Sequence, residues 1–318
     1  MPDLLDFEEP IAILLKEIEA LLTLAVSDDR DREIARREKR VSAIRGELYK
    51  NLTPWQRVQV ARHPGRPTTL DYVEWLFTDF VELHGDRRFA DDHAIVTGTA
   101  FYKGAPVMVV GHQKGSDTKQ KIYRNFGYAR PDGYRKALRT MQMAQKFGRP
   151  IISFVDTPAA FPGIESEERG VAEAIALNLR EMAMLEVPVI VVVHGEGGSG
   201  GALGLAVGDR ILMHEFAIYS VIPPEGCAAI LWRDAAKKVE AAEALKITAP
   251  DLLKLEVIDE IVLEPVGGAH TNPSQAAALL DVALQRSLAE VSALGVEERL
   301  DQRYAKFRKM GSVGIIEA

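Results

Sequence analysis

The stretch His194-Gly195-Glu196-Gly197-Gly198-Ser199-Gly200-Gly201-Ala202 decides the fold of this chain. It follows the apolar run 187–193 and contains five glycines between positions 195 and 201. An unbroken apolar run of this length is typical of a strand buried on both faces of a parallel sheet. Glycine then permits a sharp turn from the strand into a helix. We therefore predict a buried strand, a glycine-rich turn and a short helix over residues 200–207.

A second turn of the same kind lies earlier in the chain. The residues Asp156-Thr157-Pro158-Ala159-Ala160-Phe161-Pro162-Gly163 follow the apolar run 150–155, and helical periodicity covers residues 167–185. Two strand–turn–helix units in succession indicate an α/β fold with a largely parallel sheet and crossover helices. Open α/β sheets bind ligands at the carboxyl ends of their strands. The two turns together therefore mark the predicted functional site.

The remaining segments extend this α/β pattern. Alternating or apolar runs bounded by turn residues predict further strands over 94–102, 106–112, 210–214, 217–221 and 257–263. Helical spacing of apolar residues predicts helices over 69–84 and 133–147.

Four segments are predicted from these patterns. Residues 1–50 have two helical repeats of apolar residues separated by Ser27-Asp28-Asp29, which indicates a helical hairpin. Residues 51–93 are predicted to be a helical connector, and residues 94–265 the α/β core. Residues 266–318 are predicted to form a long C-terminal helical arm, helical mainly over 273–309. We expect the hairpin to serve assembly.

Composition narrows the classes of function. The chain has 318 residues, of which 47% are hydrophobic and 27% charged, and its net charge of −7 does not favour nucleic acid as a main partner. The apolar run 187–193 is too short to span a bilayer, and the first residues lack a signal-peptide pattern. Its single cysteine, Cys227, permits neither an internal disulfide nor a cysteine-based zinc site. We expect a soluble cytoplasmic protein without a membrane partner.

The glycine-rich turn matches two well-known patterns. Gly195-x-Gly197-x-x-Gly200 fits the dinucleotide-binding fingerprint, and Glu215 lies 20 residues beyond Gly195. That fingerprint normally opens its domain, whereas here considerable α/β structure precedes it. Gly197-x-Ser199-x-Gly201 also fits the nucleophile elbow of α/β-hydrolases, for which Asp259 and His270 occur in the expected order. Nothing in the sequence places either residue near Ser199.

A third interpretation uses only the backbone. The first amides of a helix have no partner inside the helix and lie at the positive end of its dipole. A glycine-rich turn at this point can therefore bind an enolate, a carboxylate or a phosphate. Alternatively, the turn binds no ligand, and its glycines serve only to let the helix pack against the strand.

Further motifs occur in order along residues 5–310. They are Leu5-Asp6-Phe7-Glu8, Leu70-Asp71-Tyr72-Val73, Gly111-His112-Gln113-Lys114-Gly115, Arg124-Asn125-Phe126-Gly127 and Gly267-Gly268-Ala269-His270. With the two turns, they make the chain resemble the alpha subunits of bacterial acetyl-CoA carboxylase carboxyltransferase, in the crotonase superfamily. The resemblance implies a crotonase-like (ClpP/crotonase) spiral of ββα units.

The resemblance also implies an activity and partners. A carboxyl group passes from carboxybiotin, carried on biotin carboxyl carrier protein, to acetyl-CoA, and malonyl-CoA is formed for fatty acid biosynthesis. The implied partners are a beta subunit in an α2β2 heterotetramer, the carrier protein and biotin carboxylase. No covalently bound cofactor and no metal are implied for this chain, because the family's zinc belongs to the beta subunit.

The resemblance assigns roles to residues of the two turns. The Gly200 and Gly201 amides would stabilise the ureido oxygen of biotin, while the beta subunit serves the thioester enolate. Residues implied in substrate binding are Lys114, Ala160, Phe161, Gly163, Gly197, Gly198 and Ser199. Three positions depart from the family pattern: Ala159 replaces Gly, Phe161 replaces Tyr and Pro223 replaces Ser. A positive φ at Ala159 would be unfavourable, which makes the geometry of the first turn an open question.

A basic run follows the predicted strand over 106–112. Lys114, Lys119, Lys121 and Arg124 are concentrated in a chain of net negative charge. One interpretation is that they attract a substrate carboxylate or a CoA phosphate, with Lys114 the foremost candidate; the other is a solvated face. His112, His194 and His270 are predicted to be structural, because no pair has metal-ligand spacing.

Overall fold

A computed structural model describes residues 4–311 of the chain. In this part of the chain one sheet runs in the spatial order β1-β2-β3-β4-β5-β6-β8, with β7 paired to the end of β5. Its strands are β1 Thr78–Glu82, β2 Ile95–Tyr102, β3 Ala105–His112, β4 Ile151–Thr157, β5 Val189–Gly198, β6 Arg210–His214, β7 Ile218–Ser220 and β8 Glu260–Val262. The first three strands pair antiparallel and the others parallel.

The α-helices surround this sheet and extend beyond it. They are α1 Glu9–Leu22, α2 Asp28–Lys50, α3 Pro54–Ala61, α4 Thr69–Leu76, α5 Thr118–Tyr123, α6 Pro131–Lys146, α7 Ile164–Glu168, α8 Val171–Met184, α9 Ser199–Leu203, α10 Pro224–Trp232, α11 Lys238–Ala244, α12 Ala249–Lys254, α13 Pro273–Ser292 and α14 Val296–Lys309.

The two central strands are buried on both faces. In β5, Val189, Val191 and Val193 face one hydrophobic cluster, to which α6 and α8 contribute. The alternate residues Ile190 and Val192 face a second cluster, to which α4 and α13 contribute. Because apolar side chains are buried on both sides, β5 has no polar alternation. The predicted buried parallel strands are confirmed.

The predicted helix over 69–84 is wrong beyond its first half. The helix α4 ends at Leu76, and β1 begins at Thr78 and pairs antiparallel with β2. Within β1, Asp79 has a φ of 53°, and the register shifts between Thr78 and Val81. Pairing with β2 stabilises the strand here, and local helical spacing does not report such a long-range contact.

Two other helix boundaries also differ from the prediction. The helix predicted over 167–185 is divided into α7 and α8 by Gly170, whose φ of 76° does not fit a helix. The helix predicted over 200–207 is α9, which covers only Ser199–Leu203. The strand before it continues through the glycines to Gly198.

The N-terminal helices form the predicted hairpin. Ile11, Ile18 and Val41 form a buried cluster between α1 and α2, and the Ser27 hydroxyl caps α2 by accepting a hydrogen bond from the Arg30 amide. At the other end of the chain, α13 and α14 form the predicted helical arm. Residues 1–3 and 312–318, which the predicted arms include, lie outside the described residues. The four predicted segment boundaries stay predictions.

The length and composition of the helices show whether any of them could cross a membrane. Among residues 4–311, no helix is both long and apolar enough to cross a bilayer.

Candidate functional site

The two predicted turns lie against each other at the carboxyl ends of β4 and β5. Thr157 and Gly197 are parallel partners at this edge. A Cβ added to Gly198 would lie 1.8 Å from the Pro158 carbonyl oxygen. A Cβ added to Gly201 would lie 2.4 Å from the Ala160 amide nitrogen. These distances are shorter than any van der Waals contact, so only glycine allows the turns to approach this closely.

Helix α9 begins directly at this contact. Its N-cap is Gly198, which has no side chain to accept hydrogen bonds from the first turn, and its first residue, Ser199, has a φ of 52°. The Gly200 and Gly201 amides belong to that first turn and have no acceptor inside the helix. Gly200 is partly exposed and Gly201 is buried. The turn therefore presents backbone donors at the edge where solvent reaches the sheet.

The first turn is fixed mainly through its backbone. Ala160 bridges to Ala129, and the Phe161 amide donates a 2.8 Å hydrogen bond to the Ala129 carbonyl oxygen. The Arg130 guanidinium carbon lies 4.8 Å from the centroid of the Phe161 ring. Gly163 is the N-cap of α7 and also packs against that ring. All the predicted residues of the first turn thus lie in one ordered segment.

Alanine at position 159 does not strain the first turn. Ala159 is not among the described residues other than glycine that have a positive φ. The substitution of the family's usual glycine therefore needs no left-handed backbone here.

A cavity of about 320 Å³ opens beside α9. It is lined by Ser199, Gly200, Leu203, Tyr219, Ser220, Val221, Leu245, Lys246, Leu252, Leu255 and Val257. The Tyr219 ring also contacts the Gly197 backbone, because a Cβ at that glycine would lie 2.7 Å from the ring. Its size and largely apolar lining are those of a small-molecule site. The cavity and the first-turn amides of α9, of which the partly exposed Gly200 lines the cavity, together form the candidate active site.

An ionic cluster lies beneath the turns. The Lys114 ammonium lies 2.8 Å from Asp156 Oδ1 and 2.6 Å from Glu196 Oε2. Asp156 Oδ1 also accepts a 2.8 Å hydrogen bond from the Glu196 amide. The ammonium thus has two protein carboxylates as partners. Its predicted attraction of a substrate carboxylate stays a prediction that this geometry does not favour.

The cluster continues toward the surface through a second cation. The Arg62 Nε lies 2.6 Å from Glu196 Oε1, and its Nη1 lies 2.6 Å from Glu225 Oε1. Burial opposes ionisation of Asp156 and Glu196, but the nearby Lys114 ammonium holds the pKa of both carboxyl groups below the usual range. Charged forms of Lys114, Asp156, Glu196 and Arg62 are therefore favoured.

His112, His194 and His214 are buried, neutral structural groups. Burial lowers the pKa of His112 to about 3, that of His194 to about 4 and that of His214 to about 3. His194 Nε2 lies 3.1 Å from the Thr69 hydroxyl. Within residues 4–311, no group of three or more His, Cys, Asp or Glu side chains is arranged to hold a metal ion.

The hydrolase interpretation requires a triad that the fold does not assemble. Asp259 accepts hydrogen bonds from the Ile211 amide and Lys306, at the amino end of β6. Ser199 follows the carboxyl end of the parallel neighbour β5, at the opposite edge of the sheet. The His270 ring is instead stacked on His63, with 3.8 Å between centroids. The positive φ of Ser199 is the only elbow-like feature among the described residues.

Sequence reasoning missed the charged partners of Lys114. Asp156 and Glu196 both lie within the quoted turns, yet neither was assigned a role. A carboxylate that directly follows a buried strand was the available signal, because a charge at such a site requires a partner. Arg62 and Glu225 gave no signal, since Arg62 lies 134 residues from Glu196 and 163 residues from Glu225 and meets both only in the fold.

Comparison with known proteins gives a consistent result. The family model for acetyl co-enzyme A carboxylase carboxyltransferase-like proteins matches residues 4–311. A carboxyl transferase subunit alpha of acetyl-coenzyme A carboxylase from Geobacter metallireducens is 61% identical over 307 residues, which cover 96% of each chain. The same subunit from Halalkalibacterium halodurans is 57% identical over 309 residues, which cover 96% of this chain and 95% of the relative.

Solved structures share the fold at low identity. A Pseudomonas malonate decarboxylase hetero-tetramer in complex with coenzyme A matches 70% of this chain and 90% of its own, with a TM-score of 0.56 and 17% identity. The transcarboxylase 12S hexamer core matches 69% of this chain, with a TM-score of 0.54 and 21% identity. The match covers only 42% of the transcarboxylase chain. These matches confirm the predicted crotonase-like fold.

Proposed function

The chain belongs to the acetyl-CoA carboxylase carboxyltransferase family as an alpha-type subunit, and we propose that its paired turns form one half of a shared active site. It is the alpha-type subunit of a carboxyltransferase that makes malonyl-CoA from acetyl-CoA and carboxybiotin. The observation that carries the proposal for the site is the contact of the two turns at Gly198 and Gly201, where the first-turn amides of α9 have no acceptor inside the helix.

The reaction divides into two charge movements. The bond between the ureido nitrogen of biotin and the carboxyl carbon breaks, CO2 is released into the site, and the electron pair stays on the ureido group. The methyl group of acetyl-CoA then transfers a proton to that nitrogen, and the resulting enolate carbon attacks CO2 to form malonyl-CoA. Negative charge develops first on the ureido oxygen and then on the thioester oxygen.

The residues of this chain act on the first of these charges. We assign the Gly200 and Gly201 amides to the ureido oxygen, since preorganised donors stabilise an oxyanion in a site that excludes water. Residues Ala160, Phe161, Gly163, Gly197, Gly198 and Ser199 shape the walls around it. No acid or base from this chain is needed, because the departing ureido nitrogen takes the proton. Catalysis then depends on positioning and on backbone dipoles.

The proposal assigns the rest of the site to a partner. A beta subunit with a zinc site supplies the donors for the thioester oxygen, and the two chains assemble as α2β2. Biotin carboxyl carrier protein delivers the carboxybiotin that biotin carboxylase has made, and the cytoplasm is the expected compartment. Support comes from the subunit name of the relatives, which implies at least one further chain.

Activity that requires the partner tests this proposal. The chain is purified alone and with a beta partner that carries a four-cysteine zinc site, and malonyl-CoA formation is measured with carboxybiotin and acetyl-CoA. We expect turnover only from the complex. Full activity of the isolated chain, or none from a well-assembled complex, would overturn the proposal.

A further inference from the structure

Lys114 lies where the two halves of the candidate active site meet. It follows β3, and its ammonium contacts one carboxylate at the end of β4 and another at the end of β5: Asp156 at 2.8 Å and Glu196 at 2.6 Å. Each carboxylate belongs to the backbone that continues into one of the two turns. Only 19% of the lysine side chain is exposed, so water screens these contacts weakly.

We propose that Lys114 is a positioning residue that holds the two turns in register, so that the α9 amides face the reacting oxygen. This inference rests on the proposed function and deepens it. The ammonium itself does not contact substrate in this account.

The geometry around the two carboxylates is tight. Asp156 Oδ1 accepts the Glu196 amide at 2.8 Å, so one oxygen joins both turns and the ammonium. A Cβ at Gly195 would lie 2.3 Å from the same oxygen. A small displacement of Asp156 therefore moves the backbone that leads to Gly198. The ammonium is the cation that contacts both carboxylates. Without it Glu196 keeps only Arg62 as a cationic partner, and the two buried negative charges would repel each other.

The stem of the lysine is also held. A Cβ at Gly127 would lie 2.7 Å from Lys114 Cγ, and that glycine has a φ of 80°. The Gly127 carbonyl oxygen accepts a 2.7 Å hydrogen bond from the Thr157 hydroxyl, at the end of β4. The loop 124–127 thus covers the aliphatic part of the side chain. The ammonium cannot reach a substrate without the loss of both ion pairs.

Further charged and titratable groups surround the cluster. Arg62 pairs with Glu196 and Glu225 on the outer side. On the inner side, Arg66 pairs with the buried Glu264 at 2.7 Å and donates to the His194 carbonyl oxygen. The rings of His112 and His194 are neutral above pH 5, because burial keeps their pKa low, at about 3 and about 4. Removal of the Lys114 charge therefore leaves Asp156 and Glu196 as the groups that respond to pH.

The test compares Lys114 variants in the complex with the beta partner. We expect Lys114→Met to lower kcat by about 10- to 100-fold, because small misplacements of a catalytic group have effects of this size. The KM values for acetyl-CoA and carboxybiotin should change by less than about threefold, since no substrate contact is lost. Lys114→Arg should retain more activity than Lys114→Met because it keeps a cation.

The pH profile separates positioning from simple loss of packing. Without the ammonium the two carboxylates share a proton more readily, so their pKa values rise and one becomes neutral as the pH falls. The ratio of kcat in Lys114→Met to kcat in the complex without substitution should therefore increase as the pH falls from about 8 to about 6. The double variant Lys114→Met/Glu196→Gln, which removes one charge of each sign, should recover activity at pH 8 and lose this pH dependence.

Lys306 provides a matched control at the opposite edge of the sheet. Its ammonium lies 2.8 Å from Asp259, and 16% of its side chain is exposed. Lys306→Met should lower stability but leave kcat of the folded complex unchanged.

Each possible failure of the test has its own result. A raised KM with unchanged kcat in Lys114→Met would assign the lysine to substrate binding and overturn the inference. Unchanged kinetics in that variant would also overturn it, as would an equal loss of kcat in Lys306→Met. If Lys114→Met does not fold, the Lys114→Arg and double variants decide by the same measurements. If the complex without any substitution is itself inactive, the proposed function is overturned instead.

Discussion

A Cβ added to Gly198 would lie 1.8 Å from the carbonyl oxygen of Pro158. The first turn thus occupies the space that a side chain on the second turn would need. Since β4 and β5 are parallel and adjacent, this contact fixes how far apart the two turns lie. Contact between the backbones of the two turns therefore defines the candidate site, and only glycine at position 198 leaves room for this contact.

The first prediction concerns Gly198→Ala. The methyl group must displace Pro158, which moves the first turn away from α9, so we expect carboxyl transfer to fall by about 100-fold. Malonyl-CoA formation by the complex with the beta partner measures this. Gly46→Ala is the control, because nothing lies within 4 Å of a Cβ at this position inside α2. That variant should keep its activity and gain up to about 1 kcal/mol of stability.

The second prediction concerns the hydroxyl of Ser199. Ser199→Ala should lower carboxyl transfer by less than about fivefold, because the adjacent backbone amides carry the chemistry. Ser199→Gly should raise the free energy of unfolding by about 1 kcal/mol, since glycine tolerates the φ of 52° at this position. Kinetics of the complex and urea unfolding of the chain measure the two effects. Complete loss of transfer in Ser199→Ala would restore a nucleophilic role for the hydroxyl.

The third prediction is an acid destabilisation that depends on His214. Burial lowers the pKa of this fully buried ring to about 3, while the unfolded chain has the ordinary value near 6.5. Between these values the unfolded state binds one more proton than the native state, so stability falls as the pH falls. His214→Leu should reduce the slope of unfolding free energy against pH, between about pH 6 and about pH 4, by about 1.4 kcal/mol per pH unit.

This slope is measured by urea unfolding at a series of pH values. Neither ring nitrogen of His214 has a hydrogen-bond partner among residues 4–311, so the leucine variant removes no hydrogen bond. An unchanged slope would show that His214 is protonated in the native state.

The fourth prediction concerns the attachment of α14. Arg303 is 2% exposed, and its guanidinium contacts Asp209 Oδ1 at 2.8 Å and Oδ2 at 2.9 Å. It also donates to the carbonyl oxygens of Met182, Leu185 and Val187. Arg303→Met leaves a buried carboxylate without its cation, so we expect a loss of about 3–5 kcal/mol in urea unfolding.

A double variant is the control for this pair. Arg303→Met/Asp209→Asn should cost less than the sum of the two single changes, because the uncompensated charge is removed. Additive losses would mean that the two side chains contribute independently.

Much of the fold could be predicted from the sequence. The apolar runs before the two turns identify β4 and β5, since buried parallel strands need apolar residues on both faces. The hairpin and the C-terminal helices follow from their spacing. The edge strand β1 could not be predicted, because Thr78–Glu82 is held by pairing with β2 and has no strong local pattern. The end of the helix at Leu76 was missed for the same reason.

The sequence predicts the glycine-rich backbone of the site but not the ion pairs beneath it. The glycines at 198 and 201 indicate a close approach, and the structure identifies Pro158 and Ala160 as the groups approached. Lys114 follows a strand end within a family motif and belongs to a basic run, which predicts substrate binding, whereas its partners in the structure are Asp156 and Glu196. These carboxylates lie 42 and 82 residues further along the chain, and no local pattern reports such pairings.

The measurement that tests the central claim most directly compares two adjacent glycines in the assembled complex. Gly201→Val places its Cβ 2.4 Å from the Ala160 amide nitrogen, whereas Gly200→Ala finds its nearest neighbour, Ile175, at 3.8 Å. We predict that both variants assemble with the beta partner and that Gly201→Val forms malonyl-CoA at less than about 1% of the normal rate. Gly200→Ala should keep at least about a tenth of that rate. Normal carboxyl transfer by the Gly201→Val complex would contradict the claim that the paired turns form the oxyanion site.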